Sequence, residues 1–408
     1  MQWWQPFHRF LTPKRLSYPL IAGAALWLVW LISISFGGGT FDLAHQVIGT
    51  DYIQFYAAGN TILAGDGAQL YDFEYQKQLQ TSITGQQVDS LHAFITPPFL
   101  AWLYLPFALL PYLPSFLLWS AFSLAILYLS FIWLGLDRPA LKYLYALSFF
   151  PVFASISFGQ NSLLSLGLLS LSYFLWQKDN KLYAGLAASL LLYKPQLILG
   201  VGLLWLLSWR RDWKSLLGLS LGGALLYLLS CNFLPQAHAE YQLLSRNLFP
   251  LLMEFEGFPI WHAHNVRAFI LLLFPGLTSL SYIVWGLISL LGIFGFFRIW
   301  KNYREMKPIM FAAAICLTVL ITPHAMIYDW VLLLIPAVLL WVYKPNLRQF
   351  LVAIFALIWI VTIISGSLTN LQLGWFSRAV QISIPVYLYL LVIMNKYIFH
   401  TDPIPDEI

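Results

Sequence analysis

Charge is what this chain avoids. Asp, Glu, Lys and Arg supply 10% of its 408 residues and apolar side chains 60%, which leaves long uninterrupted apolar runs at 19–36, 115–134, 215–234, 277–297, 347–365 and 379–394, with shorter ones between. A helix needs about 20 apolar residues to cross the hydrocarbon of a bilayer, and a soluble domain has no interior large enough to hide so many. The runs are continuous rather than alternating, which excludes a membrane β-barrel. The expected fold is an all-α polytopic membrane bundle, and its 18 Trp and 22 Tyr suit the aromatic belts at the two interfaces.

Following the runs predicts about twelve crossings, near 17–36, 115–136, 142–158, 160–177, 181–193, 195–209, 213–233, 277–299, 308–322, 328–343, 347–366 and 379–397. Pro97, Pro98, Pro106, Pro111 and Pro114 make 94–112 a broken element that dips in and returns. Arg9, Lys14 and Arg15 precede the first run and place the N-terminus in the cytoplasm. Carried through, the alternation leaves 17 of the 22 cations inside and Lys77, Lys194, Arg246, Arg267 and Arg378 outside, with both termini cytoplasmic. The chain reads as one transmembrane domain, 1–397, with outer loops at 37–93 and 234–276 and a short cytoplasmic tail at 398–408. Basic residues split among loops on one face argue against nucleic acid as a partner, despite a formal net charge of +5. Cys231 and Cys316 both fall inside expected spans and imply no disulfide framework.

The acidic residues concentrate in the first outer loop. There Tyr52, Phe55, Tyr56, Gly59, Ile62 and Leu63 recur at helical spacing, which predicts an amphipathic helix on the outer membrane surface with Asp51 at its N-terminal turn. Gly65-Asp66-Gly67 ends it, and Asp72 begins a second short helix over 73–80. Asp51 has two readings: a cap that accepts orphan backbone N–H bonds, or a general base facing a cavity at the membrane surface. Lys194, just before Pro195, must face a cavity or the interface, because a cation within the bilayer costs about 2.5–3.5 kcal/mol. It either meets a phosphate or snorkels to the headgroups. Gln160 and Asn161 sit in a tight outer turn, as sugar-binding amides or simply as turn formers. His324 and Asp329, at the outer end of another hairpin, orient substrate or cap helices. Arg267 and Arg378 are outer guanidinium forks suited to phosphate. His262-x-His264 lacks a third ligand at a defining spacing, so neither a metal nor another cofactor is expected. The phosphate-cradling Gly-rich Lys loop and the G-x-S-x-G elbow are both missing from the sequence.

Several of these residues recur in a recognisable order: Asp51-x-x-x-Phe55-Tyr56-x-Ala58-Gly59, Gly65 through Leu70-Tyr71, Thr96-Pro97-Pro98-Phe99, Phe158-Gly159-Gln160-Asn161-Ser162, Tyr193-Lys194-Pro195-Gln196, and Thr322-Pro323-His324 followed by Tyr328-Asp329. The series resembles glycosyltransferase family 87, of the GT-C superfamily of polytopic glycosyltransferases. The resemblance implies a GT-C-like bundle in a bacterial inner membrane. It implies a polyprenyl-phosphate sugar donor carrying mannose or a related sugar, and a glycan or glycolipid acceptor on the outer face, with transfer by inversion. It places the key acid in the first outer loop, at Asp51. Lys194, Arg267 and Arg378 are then expected on the donor phosphate, and Tyr56, Gln160, Asn161, Gln196, His324 and Asp329 around the substrates. The rival reading is a transporter or flippase of lipid-linked saccharides, which would share the spans, broken helices and intramembrane Lys. Polar residues gathered on one face favour surface chemistry.

Overall fold

The structure is a computed structural model describing residues 17–87, 90–137, 139–249, 253, 258–370 and 381–398. Among these residues it is helical throughout, with only two isolated β-bridges. The helices are α1 (Tyr18–Phe36), α2 (Tyr52–Leu63), α3 (Phe73–Thr84), α4 (Phe99–Leu103), α5 (Leu105–Ala108), α6 (Tyr112–Trp133), α7 (Pro139–Ser148), α8 (Phe150–Ser157), α9 (Ser162–Gln177) and α10 (Lys181–Ser189). They continue as α11 (Leu199–Leu207), α12 (Trp209–Phe233), α13 (Pro235–Asn247), α14 (Val266–Leu273), α15 (Thr278–Tyr303), α16 (Lys307–Ile321), α17 (Leu334–Tyr343), α18 (Arg348–Asn370) and α19 (Ser383–Ile398).

The apolar runs and the helices coincide closely, but length separates them into two classes. Among the described residues, α1, α6, α12, α15 and the segment Pro345–Ser365 are long and apolar enough to cross a membrane, and α8 with α9 would make a sixth although the pair bends by 119°. The other apolar helices run for 10–17 residues, short of the roughly 20 that a crossing needs. The helices stop where the chain supplies a reason. Lys194 (φ −134°) ends a 3₁₀ turn over Leu190–Tyr193, and Pro195 opens another over Pro195–Ile198. Thr322 is extended before Pro323. The prolines in 94–112 leave two short helices, α4 and α5, parted at Tyr104.

The chain forms two compact units. The first comprises Leu20–Ile198 and Trp209–Phe258. Its apolar helices pack through small polar residues, as helices without a hydrophobic drive toward one another do. Ser170 returns its hydroxyl to the Leu166 carbonyl at 2.8 Å, whereas Ser172 reaches across to the Ala184 carbonyl at 2.9 Å and ties α9 to α10. Trp27 on α1 donates its indole N–H to the Leu147 carbonyl at 2.8 Å. The second unit holds Leu199–Ser208 and the chain from Pro259 onward. There α16 is buried on nearly every side. Gly200 N–H donates to Thr318 Oγ1 at 3.0 Å, Trp285 Nε1 to the Ile321 carbonyl at 3.0 Å, and the Tyr387 hydroxyl to the Cys316 carbonyl at 2.8 Å.

Candidate active site

The first unit gathers polar groups around the turn that joins α8 to α9. Gly159 lies in the left-handed region (φ +69°). Gly159 N–H donates to the Ile156 carbonyl at 3.0 Å and Gln160 N–H to the Ser155 carbonyl at 2.8 Å, the paired bonds of a Schellman end. That closure leaves the Phe158 carbonyl pointing away from its own helix. It accepts the N–H groups of Asp51 and Tyr52, at 2.9 and 3.0 Å. A Cβ at residue 159 would collide with the Tyr52 side chain, so glycine is needed both for its backbone angle and for space.

Asp51 occupies the N-cap position of α2 but makes no capping bond with its side chain. Oδ2 instead accepts from Gln160 Nε2 at 2.8 Å. Gln160 is 5% exposed and Asp51 half-buried. The contrast with Asp72 is instructive: its carboxylate accepts from both Glu74 N–H and Tyr75 N–H and caps α3 in the ordinary way. Two residues beyond Gln160, Ser162 Oγ receives Lys194 Nζ at 3.4 Å. Asn161, between them, is fully buried; its backbone carbonyl accepts from the Tyr193 hydroxyl at 3.3 Å, and its side-chain amide lies against the buried Tyr104 hydroxyl. One turn therefore holds a carboxylate through Gln160 and an ammonium through Ser162. Gln196 lies half-buried two residues past Lys194.

Beneath Asp51 lies an aromatic floor. Tyr52 stacks on Trp119 with ring centres 6.2 Å apart, and Phe55 lies nearly parallel to Tyr104 at 5.0 Å. The Tyr52 hydroxyl pairs with Ser115 at 2.5 Å, the Tyr112 hydroxyl donates to the Ile48 carbonyl at 2.7 Å, and the Tyr56 hydroxyl donates to the Leu110 carbonyl at 2.8 Å. Burial raises the phenol pKa of both Tyr52 and Tyr56, so near neutral pH they are protonated hydroxyls. Tyr56, expected at the substrate, is 6% exposed and its hydrogen is committed to the backbone.

The remaining expected residues belong to the second unit or lie outside the described residues, as Arg378 does. Arg267 is 4% exposed, with its guanidinium 3.8 Å from the Tyr282 ring centre. Asp329 Oδ2 accepts Met326 N–H at 3.1 Å, a capping contact. His324 is half-buried at the turn after α16. His264 is buried and bound through Nδ1 to Ser383 Oγ at 2.8 Å; burial, and then the neighbouring His262, push its pKa down to about 3. Ser162 and Tyr193 stand inside motifs that the sequence displays, yet only the fold gives them partners. Tyr104, Tyr112 and Trp119 carry no local signal at all.

A sequence model of glycosyltransferase family 87 matches residues 94–323. That segment contains Gln160, Asn161, Ser162, Tyr193 and Lys194, and begins after Asp51. No curated protein and no solved structure matches the chain. The family match covers more than half of the sequence, and the chain belongs to glycosyltransferase family 87.

Proposed function

We propose that this membrane glycosyltransferase moves a sugar from a polyprenyl-phosphate donor to an acceptor hydroxyl at the outer membrane face, with Asp51 as general base. The observation that carries the reading is the Asp51–Gln160 bond. A carboxylate at a helix N-terminus ordinarily turns inward to the backbone. This one is withheld from that role and aimed by a buried amide, beside a turn that also binds a lysine.

In the proposed step, Asp51 takes the proton from the acceptor hydroxyl. The acceptor oxygen attacks C1 of the donor sugar from the side opposite the phosphate. The C1–O bond breaks with its electron pair, releasing the polyprenyl phosphate and inverting the anomeric centre. Lys194 balances the charge that develops on the leaving phosphate. Gln160 positions Asp51, and the Asn161 amide beside it is a further candidate for a sugar hydroxyl. Arg9, Lys14 and Arg15 ahead of α1 support a cytoplasmic N-terminus, and a crossing by α1 then sets Asp51 on the outer side, as in a bacterial inner membrane.

The test is sugar transfer from synthetic polyprenyl-phosphate mannose by purified protein. Loss of transfer in Lys194→Gln, with the fold intact, is the expected result; a Lys194→Gln enzyme with wild-type kcat/KM for the donor would remove Lys194 from the phosphate.

A further inference from the structure

We infer that the corner formed by residues 178–183 and 209–214 of the first unit is a contact for anionic phospholipid headgroups. Two tryptophans open α12, and both are largely exposed, Trp209 at 57% and Trp213 at 50%; Tyr183 on α10 is 63% exposed. Exposed indoles are costly in bulk water but suit the headgroup level of a bilayer. Each carries a cation on its ring: the Arg210 guanidinium lies 5.8 Å from the Trp209 ring centre, and Lys214 Nζ lies 5.8 Å from that of Trp213. The apolar length of α12, one of the helices able to cross a membrane, starts from this corner.

The acids of the corner do not neutralise those cations. Asp212 is fully buried and takes Arg211 at 3.0 Å, Lys181 at 3.7 Å and the Trp176 indole N–H at 3.1 Å. Its backbone leaves helical geometry (φ −113°), so the first turn of α12 breaks from the rest at this clamp. Asp179 is spent on Lys181 at 3.1 Å. Lys178, Arg210 and Lys214 are exposed and make no ion pair among the described residues. Three uncommitted cations interleaved with exposed aromatic rings match a surface of lipid phosphates, where each Lys or Arg contributes about 1 kcal/mol. The inference does not depend on the sugar-transfer reading.

The experiment is native mass spectrometry of the full chain released from nanodiscs of mixed phosphatidylglycerol and phosphatidylcholine, reading the ratio of the two lipids retained. Arg210→Gln/Lys214→Gln should lower that ratio, by at most about 30-fold, the equivalent of about 1 kcal/mol per cation. Arg210→Lys/Lys214→Arg should preserve it, and Lys77→Gln on α3 should leave it unchanged. Wild type tests the same claim without substitution, because its preference should fall as salt rises. A double Gln variant with the wild-type ratio, an equal loss from Lys77→Gln, or a wild-type preference insensitive to salt would each overturn the inference.

Discussion

Gln160→Leu separates positioning from packing. The substitution keeps much of the side-chain volume at a site only 5% exposed and deletes the 2.8 Å bond to Asp51 Oδ2. A hydrogen bond to a charged group contributes about 1.5–3 kcal/mol. Asp51 is half-buried, so water replaces part of the loss and the lower part of that range applies. If the bond aims the base in the transition state, kcat should fall about 10- to 30-fold. KM for the donor should change little, because Gln160 does not carry the phosphate. Gln160→Glu should lose more, since it sets a second acceptor and a like charge against Asp51. The assay is initial-rate transfer at varied donor concentration, with thermal unfolding in detergent as the check on folding. In the Asp51→Asn background, Gln160→Leu should cost nothing further, because the two residues act as one unit. A Gln160→Leu enzyme within twofold of wild type, or one altered only in KM, would refute the reasoning.

Other consequences follow from the same geometry. Gly159→Ala forces a Cβ into the left-handed region, at about 1–2 kcal/mol, and against Tyr52; both melting temperature and transfer should fall, and an unchanged melting temperature would contradict the Schellman closure. Asp212→Asn strands Arg211 and Lys181 beside a buried site and should destabilise the protein by about 3 kcal/mol, while exposed Asp179→Asn should cost no more than about 1 kcal/mol. His264, with its pKa lowered to about 3 by burial, stays neutral in the folded protein at pH values where the unfolded chain already binds a proton. Its contribution to stability is complete above pH 6.5 and is lost as pH falls toward about 3, by up to about 1.4 kcal/mol per pH unit. The slope of melting temperature against pH in that window should flatten in His264→Gln.

Local rules succeeded where the partners are local: Asp72 caps α3, because its contacts lie within three residues, although the helix runs on past residue 80 to Thr84, where Gly85 (φ +71°) closes it. The same rule fails at Asp51, whose partners Phe158 and Gln160 come from a turn more than a hundred residues away. Motif order brought Gln160, Asn161 and Lys194 to attention, yet nothing local indicates that Ser162 links the lysine to the turn, or that Tyr104 and Trp119 underlie α2. Nothing local marks Asp212, an acid set among Arg210, Arg211 and Lys214, as the buried centre of a clamp. The crossing count suffers from a related weakness. Following the apolar runs registers each one between polar turns, whereas the segments Lys181–Tyr193, Pro195–Leu207 and Ile327–Tyr343 stop at Lys194, Ser208 and Lys344 after 10–17 residues.

The central claim is that Asp51 is the base in sugar transfer from a polyprenyl-phosphate donor. Its most direct test compares purified wild type with Asp51→Asn, using radiolabelled polyprenyl-phosphate mannose and a membrane-extract acceptor pool. Transfer by wild type and its loss in Asp51→Asn, with donor binding and melting temperature retained, is the predicted result. Equal transfer by both proteins would contradict the claim and move the base elsewhere, and donor binding without turnover by wild type would favour a carrier of lipid-linked saccharides.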